Sequence, residues 1–185
     1  MNKALCAAVL LASLSASAAR LQSRRADQAD EEDSSLEGLY AGLGGGAGLS
    51  IIPGENNFGW DGEARLGYSF GRQLNLYLSA AVDGAKSKSG VSYKVEQFSI
   101  VLQYHLVVRP RAMVYVRGGV GVGLSTDFTA DGSSAAGLAG VGGIGVEIRL
   151  SPEFFLSPEL FYRDATLNGN TAVQVVGLQL SLVYY

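Results

Sequence analysis

Apolar and polar residues alternate one by one along much of the chain after residue 36. The segment 59–70 shows this most clearly, because every second side chain is apolar or small and most of those between them are polar. The first set is Trp60, Gly62, Ala64, Leu66, Tyr68 and Phe70, and the second includes Asp61, Glu63, Arg65 and Ser69. Successive side chains of an extended strand point to opposite faces, so the segment predicts a β-strand with one apolar and one polar face.

The same alternation recurs along the rest of the chain and predicts eight strands in all. Their approximate bounds are 36–50, 59–70, 74–83, 91–106, 112–124, 136–150, 154–163 and 172–185. No stretch in this region keeps the 3.6-residue period of a helix, and no apolar run is long enough to span a membrane as one. The pattern therefore predicts an all-β fold.

Three local features depart from the regular pattern. Tyr93 is out of phase with Phe98, and Val175 is out of phase with Leu178. Each phase change predicts either a β-bulge or a strand top that rises above the lipid. Pro158 lacks a backbone N–H, so it predicts a break in the hydrogen-bond ladder of the seventh strand.

The predicted connections alternate between long and short. Longer polar loops are expected at 51–58, 84–90, 125–135 and 164–171, and tight turns near 71–73, 109–111 and 151–153. Short periplasmic turns, longer outer loops, lipid-facing apolar side chains and a polar lumen are typical of outer-membrane barrels. The sequence thus predicts an eight-stranded antiparallel up-and-down transmembrane β-barrel in a Gram-negative-type outer membrane, with both termini in the periplasm.

Aromatic residues cluster at the two ends of the predicted strands, as membrane-interface girdles would. Those near the short turns are Tyr68, Phe70, Tyr104, Phe154 and Tyr184, and those near the long loops are Trp60, Phe98 and Tyr162.

The first 35 residues differ from this domain. Residues 1–19 contain Lys3, an apolar run and a cluster of small residues, which together predict a secretory signal peptide. Residues 20–35 are rich in charge and predict a disordered spacer, which leaves residues 36–185 as the barrel domain. Cys6 is the only cysteine, so we expect no thiol or disulfide in the exported protein.

Residues 36–185 resemble the small OmpA/OmpX-like outer-membrane β-barrel family. The eight alternating segments carry this resemblance, together with the stretch 157–162 and the aromatic C-terminus at Tyr184 and Tyr185. The resemblance implies outer-membrane lipid as the surroundings and a C-terminal strand that the barrel-assembly machinery recognises. The outward register ends at Tyr184 rather than at the final residue, and the charged spacer also fits an exported barrel of organellar or eukaryotic origin.

Charged side chains on the predicted inner face lie on four strands. Arg117, Glu147, Arg149 and Glu159 belong to strands five to seven and predict an internal ion-pair cluster, and Glu63 and Arg65 form a second candidate pair on strand two. An eight-stranded barrel is about wide enough for side chains to fill, which favours a structural role over a proton or ion path.

Catalytic and metal chemistry have little basis in the sequence. His105 is the only histidine and is followed by Leu106 and Val107, unlike the His-x-Ser of outer-membrane deacylases. We therefore expect no enzyme activity, no cofactor and no transition-metal site. The net charge of -3 and the lack of a basic patch argue against nucleic acid as a partner.

The leading hypothesis is a non-enzymatic outer-membrane protein that supports envelope integrity or presents loops, especially 125–135 and 164–171, to a surface partner. One alternative is a small solute or ion pore. Another is a secreted soluble barrel that binds an apolar ligand, like a lipocalin. That alternative requires the apolar face to point inward and places Glu63, Arg65, Glu147 and Arg149 outside.

Overall fold

The computed structural model describes residues 36–88, 90, 92–126, 135–167 and 171–185. They form β1 (Gly38–Ile52), β2 (Glu55–Ser69), β3 (Leu74–Lys86), β4 (Ser92–Val108), β5 (Ala112–Thr126), β6 (Ala135–Arg149), β7 (Phe154–Leu167) and β8 (Thr171–Tyr184). The predicted signal peptide, 1–19, and spacer, 20–35, lie outside the described residues. Among the described residues there is no helix long and apolar enough to cross a membrane.

The strands form one closed antiparallel barrel. Each strand pairs with the next along the chain, and β1 pairs with β8, where Ala41 lies opposite Tyr184. Closure leaves no strand edge, so neighbouring strands satisfy the backbone groups that lipid cannot. The predicted eight-stranded up-and-down β-barrel is therefore confirmed.

The alternation of side chains places polar residues inside and apolar residues outside. On β2, the inward Asp61, Glu63 and Arg65 are at most 5% exposed, whereas the outward Leu66 and Trp60 are 59% and 52% exposed. Among the outward aromatic residues, Tyr68, Tyr104, Phe154 and Tyr184 lie towards the predicted ends of their strands. Trp60, Phe98 and Tyr162, which were expected near the long loops, lie close to the middle of β2, β4 and β7. Because charged side chains fill the interior, the lipocalin-like alternative is wrong.

One of the four predicted longer loops, 51–58, is wrong, and two others, 125–135 and 164–171, fall mainly outside the described residues. We define the turn end by the connections 70–73, 109–111 and 150–153, and the loop end by 53–54, 87–91, 127–134 and 168–170. The predicted loop 51–58 is a two-residue turn in which Gly54 has a φ of 88°. Residues 51 and 52 pair with Asn56 and Glu55, because a strand above the lipid can carry polar residues on both faces and still continue its ladder.

Two irregularities interrupt the sheet. A register shift between His105 and Val107 turns both Leu106 and Val107 outward, which is the signature of a β-bulge. The ladder between β6 and β7 is interrupted opposite Pro158, between the pairs Gly145–Glu159 and Ile148–Leu156, as its missing N–H predicts. No register shift occurs at the two predicted phase changes, because the apolar side chains there simply face the lumen.

The interior has three layers. The turn-end cluster contains Leu36, Tyr40, Tyr77, Val101, Met113, Val141, Phe155, Val183 and Tyr185. The loop-end cluster contains Tyr93, Val95, Ala139, Phe161, Ala165, Leu167, Val173 and Val175. Charged side chains occupy the lumen between these two clusters.

Candidate functional site

A network of ion pairs centred on two glutamates lies in the middle of the lumen. Glu63 accepts hydrogen bonds from Arg65 (2.9 Å) and from both terminal nitrogens of Arg117 (2.6 and 2.9 Å). Glu159 accepts from Arg65 Nη2 (2.9 Å) and from Arg117 Nε. Each arginine therefore bridges two carboxylates, an arrangement that offsets the cost of burying charge.

Hydroxyl groups complete the coordination of the two carboxylates. Tyr115 donates its phenol to Glu159 over 2.6 Å, and Ser79 donates to Glu63 over 2.5 Å. These bonds use carboxylate lone pairs that the arginines leave open. We call Glu63, Arg65, Arg117 and Glu159 the central network.

Glycines in the barrel wall make room for these side chains. A Cβ added to Gly143 of β6 would lie 2.5 Å from Glu159 Oε1, and one added to Gly44 of β1 would lie 2.1 Å from Ser181 Oγ. These glycines therefore leave space in the lumen for polar side chains from other strands. Gly44 belongs to the glycine-rich stretch 42–48, which is the visible sequence signal for this space.

Arg163 extends the network towards the loop end. Its Nη1 donates to Asp83 (2.8 Å), and its Nη2 donates to Glu63 (3.1 Å) and to Gln179 Oε1 (3.2 Å). The guanidinium carbon lies 4.2 Å from the ring centroid of Phe161, within the range of a cation–π contact. Arg163 was not among the residues predicted to form the internal ion-pair cluster. Its position four residues after Glu159 on the same face was the available signal.

Asp61 is a buried carboxylate without a hydrogen-bond partner at either oxygen. Its cross-strand partner is Asp83, so two carboxylates face each other on β2 and β3. The closest guanidinium nitrogen to Asp61, on Arg163, is 3.7 Å away. Four carboxylates therefore share three guanidinium groups here, since Glu63, Glu159, Asp61 and Asp83 meet Arg65, Arg117 and Arg163.

Glu147 and Arg149 do not join the central network, contrary to the sequence-based expectation. Glu147 accepts from Gln103 (2.8 Å) and Tyr185 (2.6 Å), and it also contacts His105 Nε2 (3.0 Å).

Arg149 ends β6 at the turn-end rim. There it donates to the carbonyls of Ser151 and Pro152 and lies 6.0 Å from the ring of Phe155. The inward face was assigned correctly, but depth along the strand separates these groups, and Tyr115 lies between His105 and Glu159.

The interior of the barrel holds a set of buried polar contacts. His105 is buried in the lumen beside Glu147 rather than on the lipid-facing surface. Within the described ranges, no group of three or more His, Cys, Asp or Glu side chains is arranged to hold a metal ion. The residues present can hold a barrel in register and fill its interior.

The family that matches this sequence is one of β-barrels, in agreement with the eight-stranded barrel of the structure. The family described as "Outer membrane protein beta-barrel domain" matches residues 4–185. No curated protein matches the chain.

Three solved structures illustrate the range of similar barrels. Neisserial surface protein A has a TM-score of 0.66 and 11% identity, and the match covers 78% of this chain and 96% of that one. The outer membrane enzyme PagL has a TM-score of 0.52 and 12% identity, with coverage of 76% and 97%. The attachment invasion locus protein of Yersinia pestis has a TM-score of 0.49 and 18% identity, with coverage of 80% and 99%. At these identities, the first two similarities show a shared fold.

Proposed function

Because this chain belongs to the outer membrane protein beta-barrel domain family and is an outer-membrane β-barrel protein, we propose that it acts as a sealed, non-enzymatic barrel that supports envelope integrity. The observation that carries the proposal is the filled lumen. Side chains from all three layers occupy it, and the bulkiest of them are almost fully buried: Arg163, Tyr40, Tyr77, Tyr115 and Phe161.

The filled lumen argues against the pore alternative. A conducting barrel needs a continuous aqueous path, whereas here the loop-end cluster and the turn-end cluster lie on either side of a cross-linked charged layer. Opening such a path requires Arg117 to leave both glutamates, which is costly because it exposes buried charges without partners. The same contacts support a structural role for the central network.

The position of His105 supports the non-enzymatic part of the proposal. The outer membrane enzyme PagL shows that this fold can carry an enzyme. A lipid-modifying site needs an acid–base group within hydrogen-bond reach of the bound lipid. The imidazole of His105 lies inside the barrel, where Glu147 and Gln103 contact it.

Orientation and assembly are further parts of the proposal. We place the turn end and both termini in the periplasm, with β8 as the strand that the barrel-assembly machinery recognises. Tyr184 supports this assignment because it lies on the outward face, where its ring centroid is 5.4 Å from that of Phe154. The outward position of Tyr184 therefore supplies the lipid-facing aromatic group of the last strand.

Recognition of a surface partner through loops is the other half of the sequence-based hypothesis. The loops expected to carry it, 125–135 and 164–171, fall mainly at 127–134 and 168–170, outside the described residues. The integrity role is the one that rests on described residues, namely those that fill the lumen.

Conductance across planar lipid bilayers tests the sealed barrel. We expect the refolded protein to insert without stepwise conductance, and Arg117→Ala, which uncouples Glu63 from Glu159, to increase ion leakage. A heat-dependent shift in electrophoretic mobility checks that each sample is folded. Stable conductance steps from the unmodified protein would overturn the proposal.

A cellular experiment tests envelope integrity. Cells that lack the protein should become more sensitive to detergent and to large hydrophobic antibiotics, and expression of the intact chain should restore resistance. Unchanged sensitivity in the deletion strain would contradict an integrity role, whatever the conductance result.

A further inference from the structure

A groove on the outer surface near the loop end combines aromatic and basic side chains. Phe58 and Trp60 of β2 line it together with Lys86 of β3 and Lys94 of β4, and Gly59 and Gly84 contribute backbone to it. Phe58 is 75% exposed and both lysines are exposed. The groove therefore lies on the side of the sheet that faces the membrane and its interface.

The register explains why these four side chains meet. Trp60 is the cross-strand partner of Gly84, and Gly84 is in turn the partner of Lys94. A Cβ at Gly84 would lie 2.6 Å from Trp60 Cε2, so the indole covers the backbone at that glycine. Lys86 follows Gly84 by two residues on the same face. Diagonal neighbours on adjacent strands are roughly 7–8 Å apart, which lets one headgroup reach both ammonium groups.

The charges of these lysines are available to a ligand. Among the described residues, no ion pair engages Lys86 or Lys94. The nearby Glu55 accepts hydrogen bonds at Oε2 from Ser87 Oγ (2.9 Å) and from the backbone N–H of Lys88 (3.3 Å), and neither bond involves Lys86 or Lys94. Those bonds also hold the start of the β3–β4 connection above the groove.

Tryptophan and lysine both favour the headgroup region of a membrane, for different physical reasons. The indole ring settles at the level of the headgroups, and each lysine close to anionic lipid contributes roughly 1 kcal/mol, which is about a factor of five in affinity. Glu96 shares the outward face of β4 with Lys94 and adds one negative charge below it. Two lysines above an aromatic surface thus favour an anionic headgroup over a neutral one.

We propose that the groove of Phe58, Trp60, Lys86 and Lys94 binds the phosphorylated headgroup of a lipid in the outer leaflet, with its acyl chains against the apolar surface below. The inference rests on the proposed orientation and deepens the integrity role, since it names the class of lipid that the barrel would hold. Two phosphate groups on one headgroup would match the two ammonium groups.

Trp60 is the only tryptophan of the chain, so its fluorescence reports on this groove directly. We would fold the barrel into vesicles of brominated phosphatidylcholine, which quench the indole, and replace part of that lipid with an unbrominated, bisphosphorylated glucosamine lipid. If the unbrominated lipid binds preferentially beside Trp60, it displaces more of the brominated lipid there than random mixing would, and quenching decreases further. We expect such excess relief for this lipid and none for its dephosphorylated analogue.

Charge variants test the roles of the lysines. The double variant Lys86→Gln/Lys94→Gln should reduce the relative association constant of the phosphorylated lipid by up to about 25-fold. The double variant Arg109→Gln/Arg111→Gln removes the same charge from exposed residues of the turn end and should leave the constant unchanged. Equal losses in both variants, or equal binding of the dephosphorylated lipid, would overturn the proposal.

Conductance measured on the same proteins separates the two hypotheses. A sealed barrel that shows no excess relief of quenching would refute the lipid site alone. A conducting barrel would refute the proposed sealed function, and the fluorescence result would still decide whether the groove binds phosphate.

Discussion

The inner and outer faces of β2 follow different physical rules although they alternate within one strand. Each outward residue, such as Leu66, contacts lipid independently of the other strands, and its surroundings depend mainly on its depth in the bilayer. Inward residues such as Glu63 depend on partners from other strands, including Arg117 of β5 and Arg163 of β7. The outer face can therefore be interpreted from a short segment, whereas the inner face requires the whole barrel.

Asp61 and Glu63 sharpen this difference because they share the inner face of one strand. Three arginines contact Glu63 within 3.1 Å, whereas no hydrogen-bond donor reaches Asp61. Both residues carry a carboxylate, and both side chains point into the lumen. The partners across the lumen make one carboxylate a structural centre and leave the other unsatisfied.

The largest expected effect comes from Glu63→Gln. The substitution leaves buried guanidinium groups without their shared carboxylate, so we expect a loss of about 3–5 kcal/mol in the free energy of unfolding. Urea unfolding of barrels folded into phosphatidylcholine vesicles measures it.

The matched control is Asp61→Asn, which removes a carboxylate that accepts no hydrogen bond. We expect a change within about 1 kcal/mol of the unmodified protein, in either direction. Similar losses for the two variants would show that the inward position of a carboxylate, and not its hydrogen-bond partners, determines its contribution to the free energy of unfolding.

Charge on the outer face provides the second test. Leu66→Arg places a guanidinium on the outward face of β2 between the aromatic residues Trp60 and Tyr68, and we expect a cost of about 2–4 kcal/mol if that level is mid-bilayer lipid. Asn56→Arg changes the same face of the same strand near the loop end and should cost about 0–1 kcal/mol. The same urea titration compares them, and equal costs would contradict a depth-dependent lipid environment for this face.

The two C-terminal tyrosines give the smallest effect and test both faces at once. Tyr185 points inward, where it donates to Glu147 (2.6 Å) and accepts from Asn75 (2.9 Å). Tyr185→Phe should therefore cost about 1.5–3 kcal/mol, the range for a hydrogen bond to a charged group. Tyr184→Phe keeps the outward ring and should change stability by less than about 0.5 kcal/mol. A larger loss for Tyr184→Phe would reverse the assignment of the two faces.

The sequence was sufficient to predict the barrel and the facing of its charged residues. The period of two makes Glu63, Arg65, Arg117 and Glu159 inward-facing from local pattern alone. Glu147 also faces inward, yet it contacts His105 and Tyr185 rather than the central network. The alternation of side chains shows which face a residue occupies but not its depth along a tilted strand.

The ends of the strands were harder to predict for another reason. Above the lipid, both faces of a strand can be polar, so Asn56 and Asn57 suggested a loop although they belong to the β1–β2 ladder. Val175 was also misleading, because the interior at the loop end is apolar. Where both faces of a strand have similar surroundings, the alternation of apolar and polar residues no longer predicts which side chains point inward.

The pairing of β1 with β8 has a consequence for how the protein folds. The residues that close the barrel, such as Ala41 and Tyr184, are separated by almost the whole length of the described chain. Loop-closure entropy makes such distant contacts slow to form. Until the last strand arrives, the first has an open edge that can pair with another chain and aggregate. Until β8 pairs with β1, the unfinished barrel therefore depends on being kept apart from its own copies.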